Sequence, residues 1–406
     1  MKVLVTGANG FVGRNLCVEL ARREGIELFR YDVDSTPAEL DHALEQADVI
    51  IHLAGVNRPK DVQEFQTGNA GFTGEICQKL IALNRSPKIV LSSSIQAALD
   101  NPYGASKLGA EEALEAYCHQ AGASGVVHRL KNLFGKWCRP NYNSVTATFC
   151  HNIAHGLPIQ ISNPGNEVEL TYIDDVVAAF VAEVSDGRPG FRLADPLPSY
   201  KVTLGELSAL ITSFRESRKT LLLPDFSNPF VRALYATYLS YLEPDDFAYT
   251  LDIRTDNRGS LAECIKQPTF GQIFVSHTKP GITRGNHYHH TKVEKFMVVS
   301  GEAVIRFRHV GERAEDRDQR LEVRGQKSEG GEQRAEDRDQ RSEVRGQKSE
   351  IIEYRVRGEE YKVVDIPPGY THSIENVGSG ELVTLFWASE VFDAKRPDTV
   401  FTPVKP

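Results

Sequence analysis

The chain has 406 residues and a net charge of −8, with acidic and basic residues interleaved, so it is long enough for about two or three domains, two being the default, and has no basic stripe to hold a nucleic acid. No run approaches the roughly 18 apolar residues of a membrane helix, and Met1-Lys2 leads straight into a strand-like run without a signal-type segment, so a soluble, cytoplasmic protein with no membrane partner is expected. Six scattered cysteines without Cys-x-x-Cys spacing fit reduced, structural thiols.

From 1 to about 185, short β-branched runs (Val3-Leu4-Val5, Asp48 to Leu53, Lys88 to Ser92) alternate with amphipathic segments, which predicts βαβ units and a parallel sheet. Thr6-Gly7-Ala8-Asn9-Gly10-Phe11-Val12-Gly13 follows the first strand and opens a helix. Gly7 suits the tight turn, Gly10 the approach of backbone amides to a pyrophosphate and Gly13 close helix packing, so this segment is the candidate dinucleotide loop. Near the end of the second strand, Asp32 points to the ribose hydroxyls of NAD and Arg30 to the 2′-phosphate of NADP; locally the two signals conflict.

Ser92-Ser93-Ser94 ends a strand and precedes Tyr103-Gly104-Ala105-Ser106-Lys107. On a helix, Tyr103 and Lys107 share a face, so the ammonium can lower the phenol pKa and hold the cofactor ribose. Tyr103 then delivers a proton to a carbonyl while Ser93 or Ser94 polarises it. The region from about 186 to 245, with its prolines and Tyr235, Tyr238 and Tyr241, closes a first domain expected over 1–245.

These elements resemble the extended short-chain dehydrogenase/reductase superfamily. Within that resemblance, Leu53-Ala54-Gly55 is similar to the strand-end segment under the cofactor, Arg129 to Gly135 to the substrate-side Arg-x-x-Asn-x-x-Gly turn, and Tyr172 to Val176 to the late Tyr-x-Asp-Asp motif of nucleotide-sugar members. Asn132 is the sugar-ligand candidate. Arg139, Asn141 and Asn143 are further substrate candidates on a polar loop.

Beyond Phe247 short alternating strands take over, predicting an all-β barrel or sandwich over 246–406. Gly281, His287, His289, Glu294 and Gly301 reproduce the first cupin motif, and Pro367 to Asn376 the second, with Tyr361 where its leading glycine would stand. Residues alternate along a strand, so His287 and His289 face one side, where Glu294 and His372 complete a metal set suited to Zn²⁺ and compatible with Fe, Mn or Ni. The segments Asp256 to Glu263 and Arg284 to His287 also resemble nucleotide-deoxysugar 3,5-epimerases. That likeness makes Arg258 and Glu263 substrate candidates and His287 a general base. Whether His287 is ligand or base stays open; ligation leaves His290 or a neighbour as the base.

Arg313 to Glu329 repeats at Arg334 to Glu350 with one change, Leu321 against Ser342. This charged duplication, within 311–350, cannot offset its ordering entropy by burial and is expected to project as a disordered insert from a hairpin formed by Val304–Arg308 and Ile351–Arg355.

The order of both halves, with runs such as AGVNRP, NPYGASKLGAE, NLFGKWCRPNYNSV and PGITRGNHYHHTKVEKFMVVSG, resembles the CapF/WbjC family of bifunctional capsule and O-antigen enzymes. The resemblance implies an α/β Rossmann-type doubly wound parallel sheet followed by a cupin (jelly-roll) domain, and a homodimer. It also implies two reactions on a UDP-2-acetamido-2,6-dideoxy-4-hexulose: C3 epimerisation aided by a cupin metal, then NADPH-dependent C4 reduction to the L-talose product. NADP(H) is accordingly the expected cofactor despite Asp32. The alternatives are a fusion acting on a dTDP- or GDP-bound deoxysugar and a non-catalytic cofactor sensor.

Overall fold

In the computed structural model, residues 1–310 and 351–405 are described. The chain forms two compact units, one of Met1–Glu216 with Asp225–Phe247 and one of Ser217–Pro224 with the described part of Ala248–Pro406. The tandem duplication lies outside the described residues.

In the first unit, β1 (Lys2–Thr6), β2 (Glu27–Tyr31), β3 (Val49–His52), β4 (Lys88–Ser94), β5 (Gly125–Leu130) and β8 (Phe191–Leu193) form a parallel sheet in the order β2-β1-β3-β4-β5-β8. The central strands are nearly continuous apolar runs because both faces are covered. Leu40, Leu44, Ile76, Leu80, Leu114 and Tyr117, from three helices, bury one face. Leu16, Cys17 and Leu20 from the helix Phe11–Ala21, with Val176, Val177 and Phe180 from the helix Ile173–Ser185, bury the other. This is a Rossmann-type doubly wound sheet. The chain runs outward from β1 to β2, then returns to place β3 on β1's other side, which opens a crevice at the carboxyl ends of β1 and β3. A small sheet of β6 (Asn132–Phe134), β7 (Glu167–Tyr172) and β9 (Tyr200–Thr203) has its own core, including Phe149, Phe214 and Tyr238.

The second unit is antiparallel. One sheet runs β10-β11-β12-β19-β14-β17 and the other β16-β15-β18-β13-β20. The first comprises Ile253–Asp256, Gly259–Gln267, Gly271–Thr278, Leu382–Ala388, Glu294–Ser300 and Val363–Ile366 in that order; the second comprises Ile352–Arg357, Glu302–His309, Tyr370–Asn376, Thr283–Tyr288 and Val400–Phe401. Phe296, Val298 and Phe386 from one sheet meet Ile305, Phe307 and Ile374 from the other in a shared core, giving the cupin-type sandwich. The strands flanking the duplication pair directly, Val304 opposite Arg355 and Phe307 opposite Ile352. Tyr361, at the position of the missing motif glycine, takes a left-handed φ of 48°. Among the described residues no helix is long and apolar enough to cross a membrane.

Candidate functional site

The first candidate site lies where β1, β3 and β4 end. Gly7 turns with φ +70°, and a Cβ there would lie 2.7 Å from the Ala54 nitrogen; a Cβ on Gly13 would lie 2.1 Å from Gly7 O. Only glycines permit this packing. The helix Phe11–Ala21 opens at Gly10 with no side-chain cap, so its first amides and the positive end of its dipole suit a bound anion. Thr6 is buried, with Oγ1 2.6 Å from His52 Nδ1 and 3.3 Å from the Ala54 amide; it fixes the end of β3 and does not face the cleft. Phe11, Val12 and Leu53 likewise pack against the core beneath.

Asp32 is engaged by the chain itself, accepting from the Asn9 amide at 2.6 Å and the Val33 amide at 2.8 Å, while the Asn9 side chain donates to Asp34 at 3.2 Å. Arg30 instead lines a cleft of 510 Å³ together with Asn9, Arg14, Cys17 and Trp137. Arg14, which the sequence reading missed, gives this cleft a second guanidinium.

On the helix Pro102–Ala121, capped by Asn101 and started by Pro102, Tyr103 and Lys107 share a face. Ser94 lies beside the Tyr103 hydroxyl, near enough to lower the phenol's pKa, and its own Oγ accepts the Gln96 amide at 3.2 Å. Ser93 does not join it: buried, its hydroxyl donates to Glu111 Oε1 at 2.5 Å. Glu111 also takes the Arg129 guanidinium at 2.6 Å. Of the two serine candidates, then, the structure brings only Ser94 to the phenol.

Lys107 Nζ donates to Ser92 O at 3.2 Å and lies 6.0 Å from the Tyr103 ring centre; a Cβ on Gly55 would stand 3.2 Å from it. Burial pushes Lys107 down to about 8, opposed by Glu111. Burial raises the Tyr103 phenol above its ordinary value and the Ser94 hydrogen bond partly offsets that. The expected lowering by Lys107 is not seen, because the ammonium sits beside the ring and is not in contact with the hydroxyl. Asn69 is a residue sequence reasoning missed: inside a π-helical turn, it accepts from the Val56 amide and donates to Ser106 Oγ at 2.9 Å, tying the loop after β3 to the Tyr103 helix. Nothing in its local sequence, QTGNAG, marks it.

The substrate-side candidates are dispersed. Asn132 Nδ2 donates to Glu169 O at 3.3 Å. Arg139 and Arg58 flank the Tyr142 ring at 5.3 Å and 5.2 Å. Asn141 is left-handed, its amide held by Thr148, and Asn143 is exposed.

The second candidate site gathers His287 from β13, His289 just beyond it, Glu294 from β14 and His372 from β18, with one possible ligand atom from each lying within 4.8 Å of the others. Glu294 Oε2 is 3.4 Å from His289 Nε2 and 3.5 Å from His372 Nε2. Those two Nε2 atoms are buried without a hydrogen-bond partner, an arrangement that is costly for polar atoms unless a cation takes their lone pairs. Burial, then the neighbouring imidazoles, push His287 down to about 4. Burial opposes ionisation of Glu294, but the adjacent His289 and His372 side chains, with the Lys292 ammonium, outweigh it and hold the carboxyl well below the usual range. Three imidazoles and a carboxylate converging on one point are the donor chemistry of a divalent cation site, so the residues fit a metal.

His290 stays outside this cluster: its ring is exposed and packs on Tyr288 at 5.2 Å. Arg258 and Glu263 lie on the β10–β11 hairpin in local ion pairs, Arg258 with Asp256 and Glu263 with Lys266. Asp256 stands between Arg258 and Arg284.

Residues 3–190 match the NAD dependent epimerase/dehydratase family, and residues 254–330 with 342–400 match the polysaccharide biosynthesis C-terminal domain. The chain is 42% identical over 400 residues, 98% of each sequence, to the UDP-2-acetamido-2,6-beta-L-arabino-hexul-4-ose reductase of Pseudomonas aeruginosa. Its structure is similar to that of the capsular polysaccharide assembling protein CapF of Staphylococcus aureus, with a TM-score of 0.84 and 43% identity over 99% of this chain and 100% of that one. A UDP-glucuronic acid 4-epimerase from Bacillus cereus, at 18% identity and a TM-score of 0.50, covers 59% of this chain and 98% of its own and shares the fold alone.

Proposed function

Because the chain belongs to the family of these CapF-type capsule proteins and UDP-4-keto-sugar reductases, a UDP-sugar reductase/epimerase family, we propose that it epimerises C3 of a UDP-2-acetamido-2,6-dideoxy-4-hexulose in its second unit and reduces C4 in its first, giving UDP-2-acetamido-2,6-dideoxy-L-talose. The observation that carries the reading is that one chain brings Tyr103 and Lys107 together on one helix face with Ser94 beside the phenol, and gathers His287, His289, Glu294 and His372 within 4.8 Å of one another.

NADPH would supply the hydride. Tyr103 delivers the proton to the carbonyl oxygen, Ser94 holds the phenol and polarises that oxygen, and Lys107 faces the ribose side beside Gly55. Arg30 and Arg14 offer a 2′-phosphate two guanidinium groups, while Asp32, engaged by the Asn9 and Val33 amides, is less available to a ribose; this favours NADP over NAD. Asn132 and Arg139 are proposed on the sugar-nucleotide side.

In the second unit, His287, His289, Glu294 and His372 would hold a divalent cation, Zn²⁺ by donor type. When bound it would act as a Lewis acid toward negative charge developing beside the 4-keto group. The 4-keto group acidifies the C3 proton, and later reduction fixes the new configuration. Family membership also supports a homodimer and action in the cytoplasm.

The test is NADPH oxidation on adding the UDP-4-keto sugar. Tyr103→Phe is expected to lower the rate at least about 100-fold. Equal rates in both proteins defeat the assignment.

A further inference from the structure

The connection between β13 and β14, which sets His289 against Glu294, is held by a residue more than a hundred positions further along. The Asp398 carboxylate accepts the backbone amides of His290 at 2.9 Å, Thr291 at 2.8 Å and Lys292 at 2.8 Å, and the Thr291 hydroxyl at 3.0 Å. Three successive amides converging on one carboxylate lock the turn's backbone. The Asp398 main-chain carbonyl bonds to His289 Nδ1. A carbonyl only accepts, so Nδ1 carries the hydrogen and Nε2 turns its lone pair into the cluster.

The segment after Asp398 continues along the same strands. Thr399 Oγ1 accepts from Lys292 Nζ at 3.4 Å, and that ammonium lies 3.5 Å from Glu294 Oε1, the carboxylate oxygen turned away from His289 and His372. Phe401 then pairs with His287, and the Thr402 carbonyl takes the hydroxyl of Thr371, next to His372. Every proposed ligand is thus bonded to this segment directly or through a sequence neighbour or contact partner.

We propose that Asp398 is a positioning residue of the cation site, fixing the tautomer and orientation of His289 and the turn that presents Glu294. This rests on the metal reading of the cluster and deepens it: the strap at 398–402 is part of the centre. Partners of this kind, one step behind the ligands, are worth about 10–100-fold in metal affinity. A strap that merely pinned the chain would be equally sensitive at Arg308, which holds the carbonyls of Pro403 and Val404 on the same segment.

The experiment uses the full chain stripped of metal, titrated with Co²⁺ by its visible absorption and with Zn²⁺ against a chromophoric chelator. Expected are cation binding by the wild type, an affinity about 10–100-fold weaker in Asp398→Ala with changed Co²⁺ bands, and an intermediate loss in Asp398→Asn, whose amide keeps one acceptor oxygen. Arg308→Ala should keep the wild-type affinity and spectrum. Wild-type affinity in Asp398→Ala overturns the proposal, and if that variant does not fold, wild-type affinity in Asp398→Asn does so. Equal weakening in Arg308→Ala also overturns it. A wild type that binds neither cation overturns the metal reading itself, and that arm separates the two failures.

Discussion

Ser93 and Ser94 are neighbours with opposite duties. Ser94→Ala removes the hydroxyl beside Tyr103 and is expected to lower kcat about 100-fold or more with unchanged thermal stability, read by turnover and calorimetry together. Ser93→Ala takes a donor from buried Glu111 and should leave turnover near wild type while costing about 1–3 kcal/mol in urea unfolding. Strand parity in the sequence says these serines face opposite sides; which side meets Tyr103 is set by helix packing, so it was not legible. The i, i+4 pairing of Tyr103 with Lys107 was. Lys107 has a further consequence in pH. Burial lowers it from 10.5 to about 8, so its ammonium is lost as pH rises through that value. The stability cost of holding it charged is complete below about pH 8 and is relieved as pH climbs toward 10.5. The kcat/KM for reduction should therefore fall above about pH 8, whereas Lys107→Met should show a low profile without that limb; a wild-type rate flat from pH 7 to 10 would contradict the role.

At the scale of elements, the parallel strands, the cupin strands and the hairpin pairing of Val304 with Arg355 follow from apolar periodicity and were readable. The strap from Asp398 was not, because its carboxylate reaches the 290–292 turn across more than a hundred residues and nothing local marks it. The hairpin closes on its own ladder. Deleting 313–350 should preserve both activities and raise stability by about 2 kcal/mol, since it shortens the connection about tenfold at about 0.6 kcal/mol per halving. Loss of folding on deletion would show that the segment carries structure. Tyr361 makes a smaller element-level point: the motif's glycine is missing, yet the backbone keeps a left-handed turn there at φ 48°. Tyr361→Gly should raise stability by about 0.5–1 kcal/mol, the relief of a left-handed side chain less the flexibility gained by the unfolded chain.

The chain carries two candidate centres, one in each unit. The first unit has its own three-layer core and the second its own sandwich core, so damage to one centre should not propagate to the other. The motifs made both residue clusters legible, and the whole-chain match to one relative shows both domains in one chain. Their secondary supports, Asn69 behind the phenol and Asp398 behind the imidazoles, required the folded chain. The most direct measurement follows the UDP-4-keto sugar by proton NMR in D₂O with NADPH, comparing the wild type with Tyr103→Phe and His289→Ala. The account predicts that Tyr103→Phe still exchanges deuterium into C3 but does not reduce C4, and that His289→Ala loses the C3 exchange while its first unit still binds NADPH. Both activities vanishing together in Tyr103→Phe, or exchange persisting unchanged in His289→Ala, would contradict two independent centres in one chain.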